Sequence, residues 1–191
     1  MSRESLKDRG QALEEEFFHR LQEEQLQSLR AELDRKATRE ELRAACGISD
    51  EAVLDQLVGL GVSGATMAAL SMVPLVTVAW ADGDVHARER DAVLKAAQER
   101  GVDPKSAAHA LLSGWLGRRP SSQLFDVWAA YSRGLAGTLD PTQRAQLREQ
   151  IVGMARQVAE SAGGFLGVGK IGKEEEAALA SIQAVFADQA P

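Results

Sequence analysis

The residues best suited to chemistry lie in one stretch, Val78-Ala79-Trp80-Ala81-Asp82-Gly83-Asp84-Val85-His86-Ala87-Arg88-Glu89. An apolar run ends there, a Gly-containing turn follows, and a charged helical pattern begins. Gly83 suits the left-handed residue that closes a helix. His86 falls at an N-cap, and Glu89 lies at the glutamate position of a capping box. Those local roles account for Gly83 and Glu89 but not for Asp82. A carboxylate in the last turn of a helix faces unpaired carbonyls and the negative end of the dipole, at a cost of about 0.3–1 kcal/mol. Asp84 adds a second negative charge close by. Carbonyl oxygens with converging carboxylates are the donors that a hard cation such as Ca²⁺ or Mg²⁺ takes. The spacing is not that of an EF-hand. With Asp82 as first ligand, the last position falls on Val93, where a bidentate glutamate belongs. Helix punctuation is the competing account of the same turn.

Composition explains why carboxylates must carry any chemistry. The 191 residues contain one cysteine, Cys46, and three histidines, His19, His86 and His109. A disulfide framework and a Cys-rich zinc site are therefore excluded. No Ser–His–Asp or Cys–His pairing stands out, so no catalytic residue and no organic cofactor is assigned. The net charge of −6 argues against nucleic acid, because phosphate contacts need clustered cations. A 45% apolar content is enough for a sizeable core. The N-terminus lacks the apolar run of a secretory signal. Gln56 to Ala81 has no Asp, Glu, Lys or Arg, yet Gly59, Gly61, Ser63, Gly64 and Pro74 interrupt it. We read it as buried core rather than a membrane span, and expect a cytoplasmic chain with no membrane insertion.

Strand signals are nearly absent and helical spacing is pervasive, which predicts an all-α fold, a compact multi-helix bundle with a charged N-terminal helical extension. The organisation expected is an extension over 1–60 and an all-helical domain over 61–191. In the extension, Leu6, Leu13 and Phe17 share one helical face, and Leu26, Leu29 and Leu33 another, with a phase slip between them. This segment is a candidate for dimerisation or partner binding. Thr38-Arg39-Glu40-Glu41 has capping-box spacing and predicts a helix start, ended by Gly47, with Ser49 capping the next helix. Such a pair also describes a DNA-binding helix-turn-helix, but Asp50, Glu51 and Asp55 would repel phosphate. Residues 65–81 form the apolar helix, with Pro74 either in the first turn of a helix starting near Ser71 or kinking a longer one. Asp103-Pro104 and Asp140-Pro141 each predict an N-cap followed by proline at the first helical position. Ser121-Ser122 starts a further helix, and Lys173 to about Phe186 forms the last.

The key turn has an internal echo. Val78-Ala79 recurs as Val158-Ala159, Gly83 as Gly163, Val85 and Glu89 as Ile171 and Glu175, and Val93 as Leu179. The second copy carries Ala162 and Lys170 in place of Asp82 and Asp84. Two copies of one helix–turn–helix device suggest a pseudo-symmetric bundle. Glu175 or Glu174 would then supplement Asp82, Asp84 and Glu89.

Ala81, Asp82, Gly83, Val85 and Glu89, following an apolar helix, resemble the signature of the tellurite-resistance TerB-like family, over about residues 62–187. Ile171 to Glu175 looks like the corresponding second element. The resemblance implies an all-helical fold tied to stress response and divalent-cation binding through acidic residues. Asp82, Asp84, Glu89 and Glu175 are the positions it carries over as metal ligands. The second turn departs from the pattern by lacking its aspartate.

Gly164-Phe165-Leu166-Gly167-Val168-Gly169-Lys170 has the spacing of a phosphate loop, but Ile171 stands where Ser or Thr must hold Mg²⁺. Residues 113–156 carry six arginines against Asp126, Asp140 and Glu149, a docking face for an acidic partner or a solvated one. The leading expectation is a non-enzymatic TerB-like module that binds a divalent cation weakly and acts through protein partners. The alternative is a metal-independent interaction scaffold in which the acids are structural. A metal-assisted hydrolase comes third. A homo-oligomer through the N-terminal helix is the further partner expectation.

Overall fold

The computed structural model describes residues 25–44, 51–162 and 171–187. The Leu6–Leu13–Phe17 face, the Gly47 helix stop, the Ser49 cap and the Gly164–Lys170 loop lie outside the described residues. Contacts divide the chain into two units, Met1–Glu40 and Glu41–Pro191.

In the first unit, the described residues belong to α1 (residues 25–44). Leu26, Leu29 and Leu33 are 54%, 54% and 58% exposed. The helix start expected at Thr38 does not occur. Thr38 Oγ1 donates to Asp34 O at 2.8 Å. The hydroxyl bonds a carbonyl one turn back inside a continuous helix instead of capping a new one.

The second unit takes in the end of α1. There follow α2 (Glu51–Gly59), a 3₁₀ turn (Gly64–Thr66), α3 (Met67–Leu70), α4 (Val73–Ala79) and α5 (Ala87–Glu99). Then come α6 (Ala107–Gly117), α7 (Gln123–Gly137), α8 (Pro141–Ala162) and α9 (Lys173–Ala184). All regular structure among the described residues is helical. Leu42, Leu54 and Leu57 are fully buried, so the end of α1 and the apolar side of α2 enter this unit's core.

The charge-free run is split rather than one helix. After α2, Gly61 takes φ +79°. Its N–H donates to Val58 O, and Val62 N–H donates to Leu57 O, both at 3.0 Å. That is a Schellman closure, which needs a residue free of the Cβ clash. Pro74 sits in the first turn of α4. Of the two expectations for it, the helix start holds, because the missing N–H has no intrahelical partner there anyway. Apart from Thr77, whose hydroxyl donates to Val73 O at 2.9 Å, α4 is apolar, and it packs against α5, α6, α7, α8 and α9. A helix with no polar face must be enclosed, and Val73, Leu75 and Val78 are fully buried. Among the described residues no single helix is long and apolar enough to cross a membrane; Glu51–Gly59 and Gly64–Leu70 pass only together, bent by 69°.

The two Asp-Pro pairs behave differently. Asp140 Oδ1 accepts from Thr142 N (2.8 Å) and Gln143 N (2.9 Å), and Gln143 Oε1 accepts from Asp140 N (3.2 Å). α8 starts there as expected. At Asp103-Pro104 the chain makes a β-turn instead, with Ser106 N donating to Asp103 O at 2.9 Å. Asp followed by Pro is also a turn initiator, and Ser106 becomes the cap of α6 by accepting from His109 N at 3.2 Å. Asp140→Ala should therefore lower the unfolding free energy by about 1 kcal/mol, and Asp103→Ala by less. Urea midpoints of the two variants compare them directly.

Candidate functional site

The key turn is placed by the end of α6. A helix leaves its last carbonyls without intrahelical partners. Here Trp80 Nε1 donates to Trp115 O at 2.8 Å, and Arg90 Nη2 donates to Leu116 O at 2.7 Å. Trp80 ends α4 and Arg90 lies in the first turn of α5. The two bonds therefore pin both flanks of the Asp82–Asp84 turn to one helix terminus.

Within the turn, α4 stops at Ala79, earlier than the sequence pattern suggests. Gly83 N–H donates to Trp80 O at 3.1 Å, and Gly83 has φ +103°. Asp82 thus lies beyond the last helical turn rather than inside it. It also has local partners. Its Oδ1 accepts from Asp84 N at 3.2 Å, and its Oδ2 is 3.8 Å from His86 Nε2. Asp84 Oδ1 accepts from its neighbour Val85 N at 2.9 Å. Both aspartates are exposed. The misfit that sequence electrostatics assigned to Asp82 is relieved by this turn geometry.

Glu89 is the carboxylate out of place. It is 2% exposed. Its Oε2 accepts from His86 N at 2.9 Å, the glutamate half of the expected capping box. Burial pushes its pKa up from 4.5 to about 7; the His86 N–H bond opposes this, and the Asp82 and Glu175 charges add to the rise. Desolvation disfavours the ionised form, and like charges disfavour it further.

The echo is visible in the fold. Gly172 N donates to Glu175 Oε2 at 2.5 Å, repeating the His86–Glu89 bond at the start of α9. Glu175 is 9% exposed, and the matched apolar pairs Val78-Ala79 and Val158-Ala159 are all buried. The starts of α5 and α9 therefore bring two buried glutamates into electrostatic reach of each other. Each cap bond occupies one oxygen of its carboxylate and leaves the other for a further partner. Of the four acids predicted from sequence, Asp82 and Glu175 each act on Glu89, while Asp84 is engaged with its own turn. Glu174 is exposed at the same helix start. Among the described residues no group of three His, Cys, Asp or Glu side chains converges in a metal-holding arrangement.

A second feature was only half visible in the sequence. α8 and α9 pack together and enclose an open groove of about 830 Å³, with Arg148, Arg156, Gly153, Ala180, Ala184 and Ala187 among its walls. The arginine-rich character of this region can be read from composition. The small-residue floor needs the pairing of α8 with α9.

Compared with protein-family models, curated proteins and solved structures, the chain matches none.

Proposed function

We propose that this chain is a non-enzymatic, TerB-like helical module that binds a divalent cation weakly at the start of α5 and acts through protein partners in a stress response. The observation that carries the reading is the buried Glu89 carboxylate, held between the charges of Asp82 and Glu175 and raised to about 7. A cation offers the compensation that a proton otherwise supplies. Glu89 is the central donor, with Asp82, Asp84 and Glu175 as further oxygen ligands. Hard cations prefer such all-oxygen sets.

The test is a thermal titration with Ca²⁺, Mg²⁺ and Mn²⁺ at pH 8, where Glu89 is mostly ionised. At ten times its Kd, a ligand specific for the native state adds about 1.4 kcal/mol. For a chain of this size that raises Tm by roughly 3–6 °C. The shift should vanish in Asp82→Asn with Glu89→Gln. A flat titration at millimolar metal would overturn the cation reading. It would favour the scaffold alternative, which rests on the cap bonds that Glu89 and Glu175 already make.

A further inference from the structure

We propose that the cleft where α4 meets the start of α7 binds a small monocarboxylate, with its short apolar tail inside and its charge on Arg119. None of the four acids lines this cleft, so the proposal goes beyond the cation reading.

Burial is graded across the cleft. Val76 of α4 and Leu124 of α7 are 1% and 2% exposed and form its floor. Trp80 and Phe125 are half-buried and flank them. The polar groups on these walls are already engaged. Trp80 Nε1 donates to Trp115 O at 2.8 Å, and Thr77 Oγ1 donates to Val73 O at 2.9 Å. The inside therefore offers contact surface without hydrogen bonds. An apolar chain fills such a space at no cost, whereas a polar group would lose its water without replacement. The volume of the cleft is about 110 Å³. An apolar cavity of about 150 Å³ takes the ring of benzene. In proportion, this one takes a tail of about four carbons.

The rim has the opposite character. Arg119, Ser121 and Ser122 line it and are exposed. Ser122 is the N-cap of α7, yet its hydroxyl makes no capping hydrogen bond. Among the described residues, Arg119 pairs with no carboxylate, and none that lines the cleft is acidic. One guanidinium matches one carboxylate, which it can hold through two parallel hydrogen bonds. A phosphate brings close to two charges at neutral pH, more than the single cation on this lining compensates. An apolar floor, a single cation at the rim and a small volume together define a short-chain monocarboxylate.

Pentanoate, whose tail matches the volume, is the probe. Proton–nitrogen correlation spectra of the full chain follow its titration at neutral pH and constant ionic strength. The Trp80 indole N–H, assigned with Trp80→Phe, reports from the wall. Its resonance should shift saturably, with half-saturation at about 1 mM or below, an affinity open to a ligand this small. Each methylene added from acetate to pentanoate should tighten binding about fourfold. Pentan-1-ol keeps the tail and lacks the charge, and should bind about fivefold more weakly or worse. Arg119→Gln should weaken pentanoate by a similar factor. Arg119 is exposed, so far-UV circular dichroism and Tm of this variant should match wild type. A shift that stays linear to tens of millimolar would overturn the proposal. Equal affinity for acetate and pentanoate would overturn it by showing that the tail stays outside. Equal affinity for pentanoate and pentan-1-ol, or unchanged affinity in Arg119→Gln, would overturn it by showing that the charge is not held at this rim.

Discussion

Trp128→Ala should lower the unfolding free energy by about 3–5 kcal/mol, more than any other single truncation considered for this chain. Trp128 is 1% exposed in the core of the second unit. Its ring lies 5.3 Å from that of Phe125 and 6.2 Å from that of Phe186, the latter edge-on at 72°. Both arrangements are in the range where aromatic pairs gain beyond simple area burial. Phe125 belongs to α7 and Phe186 follows α9. The indole is therefore a shared wedge, and its loss leaves a cavity that two helices would have to close together. Aromatics make up only 5% of the chain, so few other side chains could fill that space. Urea denaturation should show a lower midpoint with a similar m-value. Trp128→Phe should recover at least half of the loss. A change below about 1 kcal/mol for Trp128→Ala would mean that the site collapses freely around the missing ring.

Glu89→Gln should make the protein more stable at pH 8 while leaving it nearly unchanged at pH 4. The pKa of Glu89 rises from 4.5 to about 7 on folding. Between those values the native state holds a proton that the unfolded chain has released. Stability from this group is therefore complete below about pH 4.5 and is lost as pH rises through about 7. The full shift would correspond to about 3 kcal/mol. Solvent screening at the open turn beside the exposed Asp82 brings the expected effect down to about 1–2 kcal/mol. Glutamine removes the charge and keeps an oxygen for the His86 N–H, since Gln also serves at that capping position. Stability curves measured in a chelating buffer should converge near pH 4 and separate above pH 6, with the glutamine variant on top. A wild-type curve parallel to that of Glu89→Gln would show that burial does not shift the carboxyl. Glu89→Ala should lie below Glu89→Gln at every pH, because it leaves the His86 N–H without its acceptor.

Much of the fold could be read from local chemistry. The absence of strand patterning led to the all-α class, and the helical apolar spacing located α5, α7, α8 and α9 to within a few residues. Asp140-Pro141 announced the start of α8, and the fold completes it with a reciprocal cap to Gln143 that uses only neighbouring residues. The errors came where two local devices compete for the same side chains. Thr38 can cap a helix or bond one turn back inside one, and the second outcome holds in α1. Asp103-Pro104 can begin a helix or a turn, and the turn leaves Ser106 as the cap of α6. For residues 65–81 the sequence left Pro74 either in the first turn of a helix starting near Ser71 or kinking a longer one, and the first outcome holds. The chain breaks at Ser71 and Met72, immediately before the helix that Pro74 helps to start.

The candidate site divides in the same way. That Asp82, Asp84, Glu89 and Glu175 belong to two copies of one helix-start device is written in their spacing, because a capping glutamate must stand three residues from the N-cap. Their relative strain is not written there. Helix electrostatics pointed to Asp82, since its neighbours in sequence end an apolar helix. The fold ends that helix earlier and gives Asp82 the Asp84 N–H. Glu89 looked satisfied because its cap bond is local. What raises its pKa is desolvation, then the charge of Asp82 in the adjoining turn and that of Glu175, from a helix start 86 positions away in the chain. The α8–α9 groove follows the same logic: composition shows its arginines, but its small-residue floor exists only once two distant segments lie side by side. Hydrogen bonds between near neighbours follow from residue type and spacing. Burial and the field of distant charges are properties of the assembled chain, and they decide which carboxylate is under strain.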